Sequence, residues 1–254
     1  MERFRGQFKF DREKALYIGV ERECFLLDHN GRIAPLAPRV LTTLTDFRRF
    51  GYELSACQLE ERAGPSRNID DLRTELERND SILTETECEL GFRRLHIEVA
   101  PEDVPLDVYP DPTGRYQRIT RGMTRDTLLA ACRVAGTHVH IGMPDHETAL
   151  HAYNRVISHC PALCEKGNGS FGDRLAIYRV MAPDYAPEPY RNWDAFHEAA
   201  LQKGFVEDPR RCWTLIRISV HGTLEFRMFG ATPSLSRIVE WARACRSLCE
   251  RAVR

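Results

Sequence analysis

Lysine is almost missing from this chain: four of its 36 basic residues are lysine and the rest arginine, set against 37 acidic residues for a formal net charge of -1. So even a balance gives no overall attraction to nucleic acid or to an anionic membrane, and neither is expected as a partner. The arginine bias suits forked recognition of carboxylate and phosphate, but genomic base composition produces the same bias, so it carries little weight. No apolar run approaches membrane-spanning length, and Met1 to Phe10 is charged and lacks the apolar core of a secretory signal. A cytoplasmic location is expected on those grounds. The nine cysteines are odd in number and contain no Cys-x-x-Cys pair. Cys160 with Cys164, and Cys245 with Cys249, are spaced to share a helix face, which points to reduced packing residues rather than a disulfide framework. Internal repeats, a coiled coil, a Walker phosphate loop and a dinucleotide fingerprint are also absent, so any nucleotide must be held by a sheet face.

What the chain does contain is a set of strand-like segments with polar faces. In Gly19-Val20-Glu21-Arg22-Glu23-Cys24-Phe25, alternation puts Glu21 and Glu23 on one face and Val20 and Cys24 on the other. Two carboxylates that close repel each other unless something positive lies between them, and Mg2+ or Mn2+ is a ready candidate. In Gly136-Thr137-His138-Val139-His140-Ile141-Gly142, the two imidazoles share a face and can ligate a metal or donate to phosphate. Gln58 and Glu60 share a face in the run Glu53 to Glu61, while Glu61 points the other way and is expected at the surface. The segment Leu215 to Phe229 reads as a hairpin turning near His221-Gly222, with Thr223, Glu225 and Arg227 on one face and Leu224, Phe226 and Met228 on the other. A carboxylate beside a guanidinium suits a metal-nucleotide site, and a surface ion pair is the bland alternative.

At 254 residues, 43% of them hydrophobic, the chain can bury a sizeable core as a single domain, 1–254. Punctuation predicts a helix from Pro35–Pro38 through about Phe50, and another opened by Asn68 with Ile69, Leu72, Leu76 and Ile82 along its stripe. An irregular loop is expected from Pro101 to Gly114 and a helix from Arg115 to Cys132. Further helices are expected from Pro144-Asp145 to about Cys160, from Trp193 to Phe205 and from Ser234 to Val253. Residues 165–192, rich in Gly, Pro and Arg, read as a long binding loop or lid.

Taken in order, Gly19-Val20-Glu21-Arg22-Glu23, Gln58-Leu59-Glu60, Gly136 to Gly142, and Arg217 with Gly222-Thr223-Leu224-Glu225-Phe226-Arg227 resemble the signature segments of the bacterial glutamate-cysteine ligase type 2 family, the carboxylate-amine ligases. Gly114 to Arg118 and the pair Arg174 and Arg179 are similar too. The resemblance implies an α+β, glutamine-synthetase-like bowl of antiparallel strands flanked by helices, binding ATP and two or more Mg2+ ions. It implies Glu21, Glu23, Glu60, His138 and Glu225 as the metal and metal-phosphate set, and Arg217 and Arg227 as catalytic contacts to phosphate or acyl phosphate. Arg174, Arg179, His140 and Gln58 become substrate or nucleotide contacts. The implied reaction joins a glutamate-like carboxylate to an amine or amino acid through an acyl phosphate, and a homodimer stays open. Arg62-Ala63-Gly64 and Met228-Phe229-Gly230-Ala231 depart from the family pattern. A noncatalytic nucleotide- or amino-acid-binding relative and a metal-dependent hydrolase remain as alternatives.

Overall fold

The computed structural model describes residues 1–253. After a short helix, α1 (Glu2–Arg5), the chain runs through β1 (Ile18–Leu27), α2 (Ala37–Thr43), β2 (Phe50–Tyr52), β3 (Gln58–Ser66), α3 (Ile69–Leu90) and β4 (Arg93–Leu95). Next come α4 (Arg115–Thr120), α5 (Arg125–Arg133), β5 (Gly136–Gly142), α6 (His146–Val156), α7 (Cys160–Gly167), α8 (Asp173–Met181) and α9 (Trp193–Gln202). The hairpin β6 (Ile216–Ser219) and β7 (Thr223–Gly230) leads into α10 (Leu235–Ala252). The strands form one antiparallel sheet in the order β2-β3-β1-β5-β7-β6, with β4 pairing the far end of β1. This is the α+β architecture expected, an antiparallel sheet flanked by helices.

Side-chain alternation gives the sheet two unlike faces. Val20, Val139, Ile141, Leu224, Phe226 and Met228 turn to one side and are buried against α3, α6, α7 and α10 in the main core. Their polar neighbours turn to the other, and the register aligns them across strands: Glu60 beside Glu23, Glu21 beside His138, and His140 beside Glu225, which faces Arg217. Helix α3 begins where Asn68 accepts the amide hydrogens of Asp70 and Asp71, and it ends at Gly91 in the left-handed region at φ 67°. Leu72, Leu76 and Leu83 form its buried stripe, with Ile69 and Ile82 at the margin. Asn192 and Ser234 likewise accept amide hydrogens at the starts of α9 and α10.

Several element boundaries differ from expectation. The helix predicted through Phe50 stops at Thr43, because residues 50–52 are claimed by β3 as an edge strand. The run from Glu53 becomes strand only at Gln58, and the helix expected over 115–132 is broken in two around Gly122. The long loop expected over 165–192 holds the end of α7 and the whole of α8. Glu61 is deeply buried rather than exposed. On the helix-covered face of β1 and β3, the equally buried Arg22 donates its Nε to Glu61 Oε2 at 2.7 Å, and its Nη2 reaches both Glu61 and Asp80.

The strand β7 carries a bulge, so that Arg227 and Met228 together oppose the single residue His138 of β5. A bulge takes carbonyls out of the ladder, and buried carbonyls need donors. Arg174 of α8 supplies them: its Nη1 donates to Met228 O at 3.3 Å, its Nη2 to Arg227 O at 3.2 Å and its Nε to Ala135 O at 2.9 Å. Gly136 makes room, since a Cβ there would fall 2.2 Å from Arg174 Nη2.

Removing Arg174 strands three acceptors, so Arg174→Ala should lower the unfolding free energy by about 3 kcal/mol or more in urea denaturation. Arg22→Ala should cost about 3–5 kcal/mol by leaving the Glu61 carboxylate buried alone, whereas Arg22→Met combined with Glu61→Leu should recover most of that loss. Equal losses in the single and double variants would show that the pair itself is not what matters.

Candidate active site

The polar face of the sheet opens on a cavity of about 250 Å³ closed from above by α4, α5 and α8 and by the segment around Trp213. Glu21, Glu23, Gln58, Glu60, His138, His140, Arg174, Arg217, Glu225 and Arg227 all line it. Arg179 does not: it lies exposed on the far side of α8, its guanidinium 4.7 Å from the centre of the Tyr185 ring. Five residues separate it from Arg174, well over one helical turn, and this carries the side chain off the shared face.

Charge is divided across the cavity. On the β6–β7 side, Arg217 grips Glu225 with two bonds, Nε to Oε2 at 2.8 Å and Nη2 to Oε1 at 2.9 Å. Its Nη1 is spent on the carbonyls of Cys212 and Arg210, at 2.8 and 3.0 Å. Arg227 donates Nη1 to Glu225 and lies over the Trp213 ring, 5.5 Å from its centre. Burial pushes the Glu225 carboxyl up, but Arg217 and Arg227 outweigh it and hold the group far below the usual carboxylate range. Among the described residues Arg227 Nη2 makes no hydrogen bond, whereas every guanidinium nitrogen of Arg217 is engaged.

On the β1–β3 side, carboxylates are in excess. Burial and the neighbouring Glu21 charge raise Glu60 well above the ordinary range, and burial with the Glu23 charge pushes Glu53 up to about 7. The Glu53 charge adds to the upward push on Glu60. Glu23 is raised by burial in spite of Arg174 and Arg227, and its Oε2 accepts the Gly136 amide at 2.7 Å. His138 bridges the Glu-x-Glu pair, Nδ1 at 3.2 Å from Glu21 and Nε2 at 3.5 Å from Glu23. Burial and then Arg227 push its pKa down to about 4, so the bridge is a neutral ring with one N–H to give. It therefore leaves most of the carboxylate charge unbalanced.

His140 has one ring nitrogen engaged and one free. Its Nδ1 lies 2.9 Å from Thr223 Oγ1. Its Nε2 is buried and makes no hydrogen bond among the described residues, because Glu21 Oε2, at 3.4 Å, lies off the bonding direction. Donor atoms of Glu21, His140 and Glu225 all lie within 4.8 Å of one another. An unpaired imidazole nitrogen between two carboxylates, with the opposite nitrogen held from behind, fits a divalent cation. The pair of histidines thus divides differently from expectation: His140 completes the three-donor cluster and His138 ties two carboxylates together.

Some contributors escaped the sequence. Glu53 precedes the strand in an irregular stretch, where alternation says nothing about its direction. Tyr116, Ile119, Met181 and Trp213 form an apolar wall that only the packing of α4 and α8 over the sheet brings together. The Gly114–Arg118 segment was the one hint of that wall.

Residues 17–164 match the glutamate-cysteine ligase family 2 (GCS2). The chain is 27% identical over 252 residues to the putative glutamate–cysteine ligase 2-3 of Rhodococcus jostii, covering 93% of this chain and 31% of that protein. It is 25% identical over 256 residues to the corresponding protein 2-2 of Mycolicibacterium smegmatis, covering 93% and 63%. It therefore spans from about a third to just under two thirds of the length of these curated relatives. Among solved structures, that of a bifunctional glutathione synthetase from Pasteurella multocida superposes with a TM-score of 0.64 at 12% identity, over 95% of this chain and 38% of that one, a likeness of fold. With more than half of its length inside the family match, this chain belongs to the glutamate-cysteine ligase family 2.

Proposed function

We propose that the chain carries the catalytic site of an ATP-dependent carboxylate–amine ligase, joining a glutamate-like acid to an amine or amino acid through an acyl phosphate. The observation that supports this most is the division of one sheet face into an acidic half and an arginine half, with an unpaired imidazole nitrogen between them. Glu21, His140 and Glu225 would hold Mg2+ or Mn2+, hard cations suited to carboxylate oxygen, with the imidazole favouring Mn2+. When bound, Mg2+ and ATP supply a polarised phosphoryl group for transfer. Arg227, through its free Nη2, is the chain's own donor to the charge that gathers on phosphoryl oxygens. Arg217 keeps Glu225 and the β6–β7 pair in place.

A second cavity, about 870 Å³, adjoins the first through Glu21, His140 and His221 and is lined by Lys9, Lys14, Arg48 and Arg62. Its size suits a nucleotide and the smaller cavity suits the acid and the amine. Glu53, with its pKa near 7, is the group suited to take the proton that an attacking ammonium must lose. The apolar wall of Tyr116, Met181 and Trp213 excludes water from that encounter.

ADP release by the purified protein with ATP and Mg2+, screened across glutamate, other acids and a pool of amines, tests the reading. Release should require both an acid and an amine. Glu23→Ala and Arg227→Ala should each lower it by about 100-fold or more with the protein still folded by circular dichroism. Nucleotide binding with no release across the panel would favour a noncatalytic relative, and substrate hydrolysis without ATP a metal-dependent hydrolase.

A further inference from the structure

Family resemblance implies two or more divalent cations on this face, and Glu21, His140 and Glu225 form a cluster for one. A second would need the carboxylates on the other side, around Glu60. There the residues do not fit an added ion, because a guanidinium is already present. Arg62 donates its Nε to Glu60 Oε1 at 2.5 Å and its Nη1 to the Phe47 carbonyl at 2.9 Å. The slot that receives it is formed by the neighbouring strand. Gly51 of β2 lies opposite Glu60, and a Cβ on Gly51 would fall 2.5 Å from Arg62 Nη2. Carboxylate, carbonyl and a missing side chain thus fix the cation from three directions. Arg62 also lines the larger cavity, while the Glu60 that it holds lines the smaller one.

We infer that Arg62 is a covalently attached second cation, and that the chain binds one divalent ion, at Glu21, His140 and Glu225, rather than two. A guanidinium stays charged at every pH the protein meets, and it cannot be removed by a chelator or by dilution. Near Glu60 it gives up the Lewis acidity of a metal ion and supplies one permanent positive charge in place of two. The inference rests on the cation site proposed above, and the two can fail separately.

Titration of the purified protein with Mn2+ alone, counting free ion by its electron paramagnetic resonance signal, tests it. Wild type should bind one ion per chain, Glu225→Gln none and Glu60→Gln one. Arg62→Ser should bind two, and the second should be lost again when Glu60→Gln is added. Arg62→Lys should remain at one. Two ions on wild type, or one on folded Arg62→Ser, would overturn the inference while leaving the first cation site standing. No ion on wild type would remove that site as well. Because the wild-type count needs no variant, failure of Arg62→Ser to fold would not shield the idea, and Arg62→Gln provides a second replacement.

Discussion

Like-charge repulsion on one face of the sheet is the constraint around which the fold is arranged. Glu21, Glu23, Glu60 and Glu225 are brought onto neighbouring strands by register, and Glu53 is added from the chain that precedes β3. Carboxylates this close and this buried must be neutralised, hydrogen-bonded or kept protonated. All three solutions occur. Arg217 and Arg227 neutralise Glu225 and Arg62 pairs with Glu60, the Gly136 amide binds Glu23, and Glu53 is pushed toward the protonated form. The apolar side of the sheet, filled by α3, α6, α7 and α10, supplies the packing that holds these groups together.

Where the sequence spoke clearly, it did so through strand alternation. Glu21 with Glu23, Gln58 with Glu60, His138 with His140, and Thr223 with Glu225 and Arg227 lie on one face because a period of two survives almost any tertiary setting. Irregular backbone gives no such guide, so Glu53 went unassigned. Glu61 was expected at the surface because its partner Arg22, buried on the same face, cannot be paired with it until the β1–β3 register is known. Arg174 was expected to contact a ligand, yet its donors are used on carbonyls freed by a bulge that no side-chain pattern announces. The helix boundaries at Thr43 and Gly122 were decided by competition from β2 and by the folding of α4 and α5 over the cavity.

Family membership and geometry bear on different questions. The match over residues 17–164 takes in Glu21, Glu23, Glu60 and both histidines, but not Arg174, Arg217, Glu225 or Arg227. Arg217, Glu225 and Arg227 reach the same cavity through the β5–β7 and β6–β7 pairings, and Arg174 reaches it from α8. The antiparallel sheet therefore joins a stretch inside the family match to one beyond it, both within the alignments to the curated relatives, and Arg217 and Arg227 come from the second.

The contact between His140 and Thr223 also bears on the proton inventory of the site. A carboxylate behind an imidazole only accepts, and so would fix the hydrogen on Nδ1. The Thr223 hydroxyl, 2.9 Å from that nitrogen, can donate as readily as it accepts. The hydroxyl can therefore serve either tautomer, accepting from Nδ1–H or donating to a bare Nδ1, while the proton at Nε2 is exchanged on the far side of the ring, toward Glu21 and Glu225. Thr223 thus holds the ring from behind whichever nitrogen carries the hydrogen.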